Sequence, residues 1–233
     1  MKALVVIALG LVSMGIFASA RQVPEPQFKL VEFHMALLKH GPKWSANSWD
    51  KNAPVRKQHI AYVHSLLDSD KAIIAGPLSD DGDVVGIYIF RAKSADEAKT
   101  WAMADPAVTS GHLIAEMHPW WSEDVMKKPT SPQKMITAYL TFLTRGPQWT
   151  PEQTPAIVEL QKAHIANIQR LAALKKLVVA GPFGDRGNLA GILVFRVDSL
   201  EEARALTATD PAVQAGRLAA DIHPWLVPEG VLP

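Results

Sequence analysis

The sequence predicts an α+β fold in which two βαββαβ repeats pack together as an intrachain pseudo-twofold barrel. The first observation is an internal duplication, because residues 41–120 align with 146–225 at a constant offset of 105 without a gap. About 30 of the 80 aligned positions are identical, which shared composition alone does not explain. The second observation is the order of hydrophobic patterns in each repeat, which is the ferredoxin-like order. Such a sheet carries its helices on one face, so the second repeat is the expected cover for the other.

Each predicted element has a local signature. The opening strand alternates, with Phe33, Met35 and Leu37 on one face, and the following helix has apolar residues at helical spacing after a proline. A short apolar strand ends at Gly-Pro, and the next strand follows a loop rich in glycine and aspartate. The second helix begins at Ser94 or Ser199 in a capping-box pattern, and the last strand alternates again. The predicted ranges are 28–38, 54–68, 72–75, 84–91 and 112–118 in the first repeat, and 134–144, 154–174, 177–180, 189–196 and 217–223 in the second.

The amino terminus has the pattern of a secretory signal peptide. Lys2 is followed by an apolar run at 3–18 and by the small-residue ending ASA at 18–20. The run is shorter than the roughly 20 apolar residues of a membrane-spanning helix. We therefore expect residues 1–20 to be cleaved, the mature protein to be periplasmic or secreted, and no membrane attachment after cleavage.

The duplication also sets the expected domain boundaries. We predict a first repeat at residues 28–124, a proline-rich linker at 125–133 and a second repeat at 134–228. Each repeat is about 100 residues long, which is enough for an ordinary hydrophobic core. The tandem unit is expected to be monomeric or to form a homodimer.

Charge and cysteine content exclude several classes of function. The 24 basic and 23 acidic residues leave the chain nearly neutral, and the two signs are interspersed. Because no basic stripe is present, nucleic acid is not an expected partner. The absence of cysteine excludes disulfides, thiol catalysis and thiolate metal sites.

Four segments of each repeat resemble the YCII family of small dimeric α+β-barrel proteins. The first repeat contains KQHIAYVHSLL, IIAGPL, SADEAKTWAMADPAV and HPW, and the second contains KAHIANIQRL, VVAGPF, SLEEARALTATDPAV and HPW. The resemblance covers nearly all of the chain after residue 20 and implies the barrel fold predicted above. Typical members look cytosolic and single, whereas this chain is expected to be exported and is a tandem fusion.

The resemblance also implies two pairs of catalytic residues. The family's proposed active-site residues are a histidine of the first helix and the aspartate of Asp-Pro, which correspond here to His59 with Asp105 and to His164 with Asp210. An aspartate bonded to one ring nitrogen fixes the tautomer, so that the other nitrogen can move a proton near neutral pH. Family members of known activity resemble dehalogenases that act by elimination on a hydroxylated ring. The implied activity is cofactor-independent elimination or isomerisation.

A structural interpretation of the same residues stays open. The histidines lie on apolar helical stripes and are equally suited to a packed core, while Asp before Pro is a common helix cap. The alternative function is therefore a non-catalytic small-molecule-binding or scaffold module. In either case the expected partner is a small organic molecule, and eight further residues are predicted to line its pocket. They are His34, Tyr139, Gly76, Pro77, Gly181, Pro182, His118 and His223.

The polar strand faces also offer a set of potential metal ligands. In the first repeat these are Glu32, His34, Glu116 and His118. The equivalent positions in the second repeat are Thr137, Tyr139, Asp221 and His223. No tight ligand motif such as H-E-x-x-H occurs, and no histidine stands out as an axial heme ligand. We therefore predict neither a metal nor another cofactor.

Overall fold

The computed structural model describes residues 28–129, 131–185 and 187–233, so the predicted signal peptide lies outside the described residues. Each half contains four strands and three helices, the third being a short helix after Asp-Pro. The first repeat consists of β1 (Leu30–His40), α1 (Pro54–Asp68), β2 (Ala72–Pro77), β3 (Val84–Phe90), α2 (Ala95–Met103), α3 (Pro106–Thr109) and β4 (Leu113–Glu123). The second consists of β5 (Ser131–Arg145), α4 (Pro155–Ala173), β6 (Leu177–Pro182), β7 (Leu189–Phe195), α5 (Leu200–Thr207), α6 (Pro211–Gln214) and β8 (Leu218–Glu229).

Each repeat forms one antiparallel sheet, in the orders β2-β3-β1-β4 and β6-β7-β5-β8. The predicted α+β architecture of two ferredoxin-like repeats is therefore confirmed. Among the described residues, no helix combines the length and the apolar character that a bilayer crossing requires.

The opening strand β1 is buried on both of its faces. Phe33, Met35 and Leu37 belong to a core between the sheets to which both repeats contribute. Ala36 and Leu38 lie on the opposite face, in a second core beneath the helices of the first repeat. The alternation of side chains along the strand separates these two cores.

Three strands extend at least three residues beyond their predicted bounds. β4 and β8 continue to Glu123 and Glu229, whereas the predicted ends are 118 and 223. The prolines in their His-Pro-Trp segments are tolerated because both strands lie at the edge of their own sheet. β5 begins at Ser131, within the segment predicted as a linker, because Ser131 pairs with Glu229.

The two sheets close into a barrel along two seams between edge strands, with β2 beside β8 and β6 beside β4. At the first seam the amide of Ser79 donates to the carbonyl oxygen of Pro224 at 2.9 Å. At the second, the amide of Gly184 donates to the carbonyl oxygen of Pro119 at 2.7 Å. Backbone hydrogen bonds therefore join the repeats as well as side-chain packing.

A buried tryptophan reinforces each seam. Trp120 Nε1 donates to the carbonyl oxygen of Gly181 at 3.1 Å, and Trp225 Nε1 donates to that of Gly76 at 3.2 Å. Both indoles are fully buried in the shared core. Each indole thus fills the core and satisfies its single polar atom at the partner repeat.

The two seam glycines allow the backbones to approach. A Cβ on Gly181 would overlap the carbonyl oxygen of Trp121, and a Cβ on Gly76 would overlap that of Leu226. Any side chain at either position would therefore push the edge strands apart.

Gly181→Ala and Gly76→Ala are expected to destabilise the protein by roughly 1–3 kcal/mol, because the added methyl group meets rigid backbone. Urea unfolding measures this effect. Gly187→Ala is the matched control, since its Cβ would meet no atom closer than 3.8 Å. Equal free energies of unfolding for Gly181→Ala and Gly187→Ala would contradict the role given to the seam.

Candidate functional site

The first-repeat pair, His59 and Asp105, lies beneath the helices, and the Asp105 carboxylate is buried. His59 Nδ1 is 2.8 Å from Asp105 Oδ2, and the Tyr88 hydroxyl donates to the same oxygen at 2.6 Å. The other oxygen, Oδ1, accepts the amide of Ala107 at 2.9 Å and so caps α3. Asp105 is fully buried, and its two oxygens accept from three groups.

Tyr88 stays neutral in this arrangement. Burial raises the pKa of the Tyr88 phenol above its ordinary value, and the neighbouring Asp105 charge raises it further. A neutral hydroxyl keeps its proton and donates it to the carboxylate. Tyr88 was absent from the sequence prediction, because strand β3 carries no motif that marks this position.

The second-repeat pair has the same geometry with one partner fewer. His164 Nδ1 is 2.6 Å from Asp210 Oδ2, and Asp210 Oδ1 accepts the amide of Ala212 at 2.9 Å. Leu193 occupies the position equivalent to Tyr88, so no phenol reaches Asp210. Nε2 of His164 forms no hydrogen bond with any residue that the structure describes.

The structure thus combines the two interpretations of these aspartates. Asp105 and Asp210 are the N-caps of α3 and α6, as the Asp-Pro signal indicates. A carboxylate has two oxygens, and the second one faces the histidine of the preceding long helix. Capping and pairing are therefore simultaneous functions of one side chain.

A cavity of about 720 Å³ adjoins the second-repeat pair. His164 and other residues of α4 form one wall, and strands β6 and β7 form the floor. Across the β4–β6 seam, Phe28, Leu30 and Val125 of the first repeat form the facing wall. The cavity is mainly apolar, as small-molecule sites usually are, and both repeats are needed to enclose it.

Smaller side chains open this cavity in the second repeat. At the cavity lining, Leu193, Ala190 and Ala172 stand where the first repeat has larger side chains. The equivalents are Tyr88, Val85 and Leu67. Leu177, in contrast, is larger than its first-repeat equivalent, Ala72. These differences in side-chain size are visible when the two repeats are aligned, and they are the sequence signal for the cavity.

Three buried polar atoms of the second repeat form no hydrogen bond with any residue that the structure describes. Within the described ranges, Thr141 Oγ1, Asn167 Nδ2 and Thr207 Oγ1 are buried without a hydrogen-bond partner. The first repeat has Ala36, Tyr62 and Ala102 at these positions. Buried polar atoms are usually paired, so the second repeat keeps hydrogen-bonding capacity that its own side chains do not use.

The predicted Gly-Pro pocket residues divide between the two seams. Gly181 and Pro182 line the cavity next to His164. Gly76 and Pro77 occupy the equivalent position at the β2–β8 seam and do not contribute to this cavity.

His118 and His223 link the repeats through aspartates. His118 Nδ1 is 2.7 Å from Asp185 Oδ2, and His223 Nδ1 is 2.7 Å from Asp80 Oδ2. In each pair the histidine belongs to one repeat and the aspartate to the other. Neither histidine lines the cavity. The sequence offered no signal for these aspartates, since they pair across the fold.

A second acidic residue, Glu116, lies beside His118. Glu116 Oε1 is 3.2 Å from His118 Nε2, a close contact without hydrogen-bond alignment. Lys39 Nζ is 2.6 Å from the other Glu116 oxygen. The hydrogen bond from Lys39 lowers the pKa of Glu116, and the His118 charge lowers it further.

The side chains considered as a metal set do not converge. Met35 pairs with His118 and His34 pairs with Pro119, so His34 and His118 lie on opposite faces of one sheet. His34 is buried on the helix side, and its equivalent Tyr139 packs partly buried in the helix-side core of the second repeat. Across the described parts of the chain, no three candidate ligands are placed to hold a metal ion.

The hydrogen bond that His164 Nδ1–H donates to Asp210 is expected to hold neutral His164 as the Nδ1–H tautomer. In Asp210→Asn the amide can donate to Nδ1, so the ring proton should move to Nε2. Long-range ¹H–¹⁵N NMR distinguishes the two tautomers. Asp105→Asn is the matched control and should change His59 alone. An unchanged His164 tautomer in Asp210→Asn would contradict the coupling.

The YCII-related domain profile matches residues 33–120 and again 139–225. The uncharacterised protein YjpA of Bacillus subtilis strain 168 is 39% identical over 62 residues, which make up 27% of this chain and 71% of YjpA. A mutant chlorite dismutase from Candidatus Nitrospira defluvii superposes with a TM-score of 0.54 and 13% identity, over 87% of this chain and 92% of its own.

At that level of identity, the likeness to chlorite dismutase shows a shared α+β-barrel fold and leaves the chemistry open. The dehydrochlorinase TftG of Burkholderia phenoliruptrix matches 36% of this chain and 89% of its own, with 22% identity and a TM-score of 0.29. The two profile matches together span most of the chain. The protein belongs to the YCII-related domain family and carries two copies of the domain in tandem.

Proposed function

We propose that the protein binds a small, largely apolar organic molecule in the second-repeat cavity and catalyses its elimination or isomerisation without a cofactor. The main support for this proposal is the position of His164, which lines the cavity while its Nδ1 is hydrogen-bonded to buried Asp210. This arrangement leaves Nε2 as the nitrogen that can exchange a proton with a bound molecule. His164 is the proposed catalytic residue, and Asp210 is a positioning residue.

The proposed reaction begins with the transfer of one proton from the ligand to His164. Nε2 of neutral His164 takes a proton from an acidic C–H of the ligand, and Asp210 stabilises the imidazolium that forms. In elimination, the C–H electron pair forms a double bond while the leaving group departs with its own bonding pair. In isomerisation, the imidazolium returns the proton to another atom of the ligand. Neither path needs an oxidant or a metal.

The first repeat is proposed as the structural half. Tyr88 donates to Asp105 at 2.6 Å and occupies the space that is open around Leu193 in the second repeat. The hydrogen bond from the Tyr88 phenol therefore links the His59–Asp105 pair to the core. The proposal assigns turnover to His164 and stability to His59.

We propose further that the mature protein is exported. The support is the charge, length and small-residue ending of residues 1–20. Protein recovered from the periplasm or the medium of native cells is expected to begin at Arg21, as mass spectrometry of its amino terminus would show. Intact cytoplasmic protein that retains residues 1–20 would overturn the proposal.

The catalytic proposal predicts that His164→Gln lowers activity by about 10²–10⁴-fold, whereas His59→Gln leaves it nearly unchanged. The assay is turnover of a panel of hydroxylated aromatics and small acids. Deuterium incorporation from solvent at the acidic C–H of each compound is followed by NMR, so that proton abstraction is detected without full reaction. The His59→Gln variant is the matched control because it changes the equivalent residue of the other repeat.

Two outcomes would overturn the catalytic assignment. Activity that survives His59→Gln combined with His164→Gln would place the chemistry elsewhere. Binding of panel compounds without exchange or turnover of any of them would leave a binding module, the alternative expected from the sequence.

A further inference from the structure

The far end of the second-repeat cavity is rich in positive charge. Lys175 and Arg196 line the cavity, and neither forms an ion pair with any residue in the described ranges. Across the seam, Glu123 contributes an acidic side chain to the lining, and Pro233, the last residue of the sequence, lines the cavity as well. Two cationic side chains therefore share the lining with one acidic side chain.

The first repeat neutralises the equivalent positions. Asp70, the equivalent of Lys175, pairs with Lys128 at 3.0 Å. Arg91, the equivalent of Arg196, forms two hydrogen bonds with Asp124, at 2.9 and 2.6 Å. The second repeat thus has a base where the first has an acid at one position, and within the described ranges its arginine has no carboxylate partner. Both changes favour a bound anion.

Lys175 occupies this position in spite of its backbone conformation. Its φ is 57°, and that of Asp70 is 56°. Aspartate is enriched in this left-handed region, and lysine is not. The exchange of aspartate for lysine therefore has no local conformational benefit, which is consistent with selection for its charge.

The two ends of the cavity are separated along α4 and its carboxyl-terminal cap. His164 and Lys175 are eleven residues apart, which corresponds to about 16 Å at the helical rise. Between them the lining includes Ile165, Ile168 and Ala172 from the helix and other apolar side chains from the sheet. A ligand that contacts both ends therefore has an extended apolar body.

We propose that the cavity takes an elongated apolar carboxylic acid, with its carboxylate at Lys175 and Arg196 and its opposite end near His164. This inference rests on the cavity of the proposed function and names the class of molecule that fills it. The carboxylate satisfies the two cations, and the apolar body is removed from water along the α4 wall. The substrate of the proposed reaction then carries its acidic C–H at the end remote from the carboxylate.

Isothermal titration calorimetry tests the proposal with decanoate and the neutral isostere decanol, both below their aggregation limits. Decanoate is expected to bind at least about tenfold more tightly than decanol, and salt should weaken decanoate alone. Lys175→Gln combined with Arg196→Gln should remove that tenfold preference and leave decanol binding unchanged. Lys99→Gln combined with Arg204→Gln, which changes net charge equally at exposed positions outside the cavity lining, should have no effect.

Two further variants locate the binding site and test the sign of the charge effect. Glu123→Gln should tighten decanoate binding severalfold, because it removes an acidic side chain from the cavity lining. Leu193→Tyr, which restores the side chain of the first repeat, should weaken decanoate and decanol alike by filling the cavity. Unaltered binding of both ligands by Leu193→Tyr would place them outside the cavity and overturn the proposal.

The remaining outcomes separate this proposal from the catalytic one. Absent decanoate binding, equal binding of decanoate and decanol, or a preference that survives the Lys175 and Arg196 substitutions would overturn the anion site. His164-dependent turnover of panel compounds would still stand in those cases. Conversely, decanoate binding that depends on both cations, with no His164-dependent exchange, would refute the catalysis and support the ligand class.

Discussion

Closure of the barrel along two backbone seams is the constraint on which the rest of the structure depends. Each sheet carries helices on one face only, so its other face is removed from water only when the second sheet covers it. Gly76 and Gly181 allow the edge strands to meet, and their carbonyl oxygens accept the buried indoles of Trp225 and Trp120. One geometry thus satisfies backbone approach, core packing and the polar atoms of both tryptophans.

Fusion of the repeats allows the two halves of this barrel to differ. In a homodimer every substitution appears on both sides of the twofold interface, whereas a tandem chain can change one side alone. Tyr88 fills the first repeat and donates to its buried aspartate, while Leu193 at the equivalent position leaves room for the cavity. Loss of core volume costs stability, so the open cavity is expected to make the second repeat the less stable half.

The elements were predictable because each depends on a local pattern, and the Asp-Pro signal at helix starts indicated the caps Asp105 and Asp210. The pairing of these aspartates with His59 and His164 was implied only by the resemblance to the YCII family. Strand alternation predicted on which face of the sheet His118 lies. It did not predict what covers that face, because Asp185, the partner of His118, lies 67 residues away in the other repeat. The cavity likewise depends on which strand edges meet, so the size differences between the repeats had no visible consequence before the seams were known.

One aspartate in each repeat acts both as a helix cap and as the partner of a histidine. A helix cap requires one carboxylate oxygen, and the other oxygen of a buried carboxylate then needs a donor of its own. In the first repeat His59 and Tyr88 share that oxygen; in the second His164 has it alone, and the distance to the ring nitrogen falls from 2.8 to 2.6 Å. A charge shared with fewer donors makes a stronger hydrogen bond to the one that remains. Removal of the phenol therefore opens the cavity and directs the whole of this interaction to the imidazole that lines it.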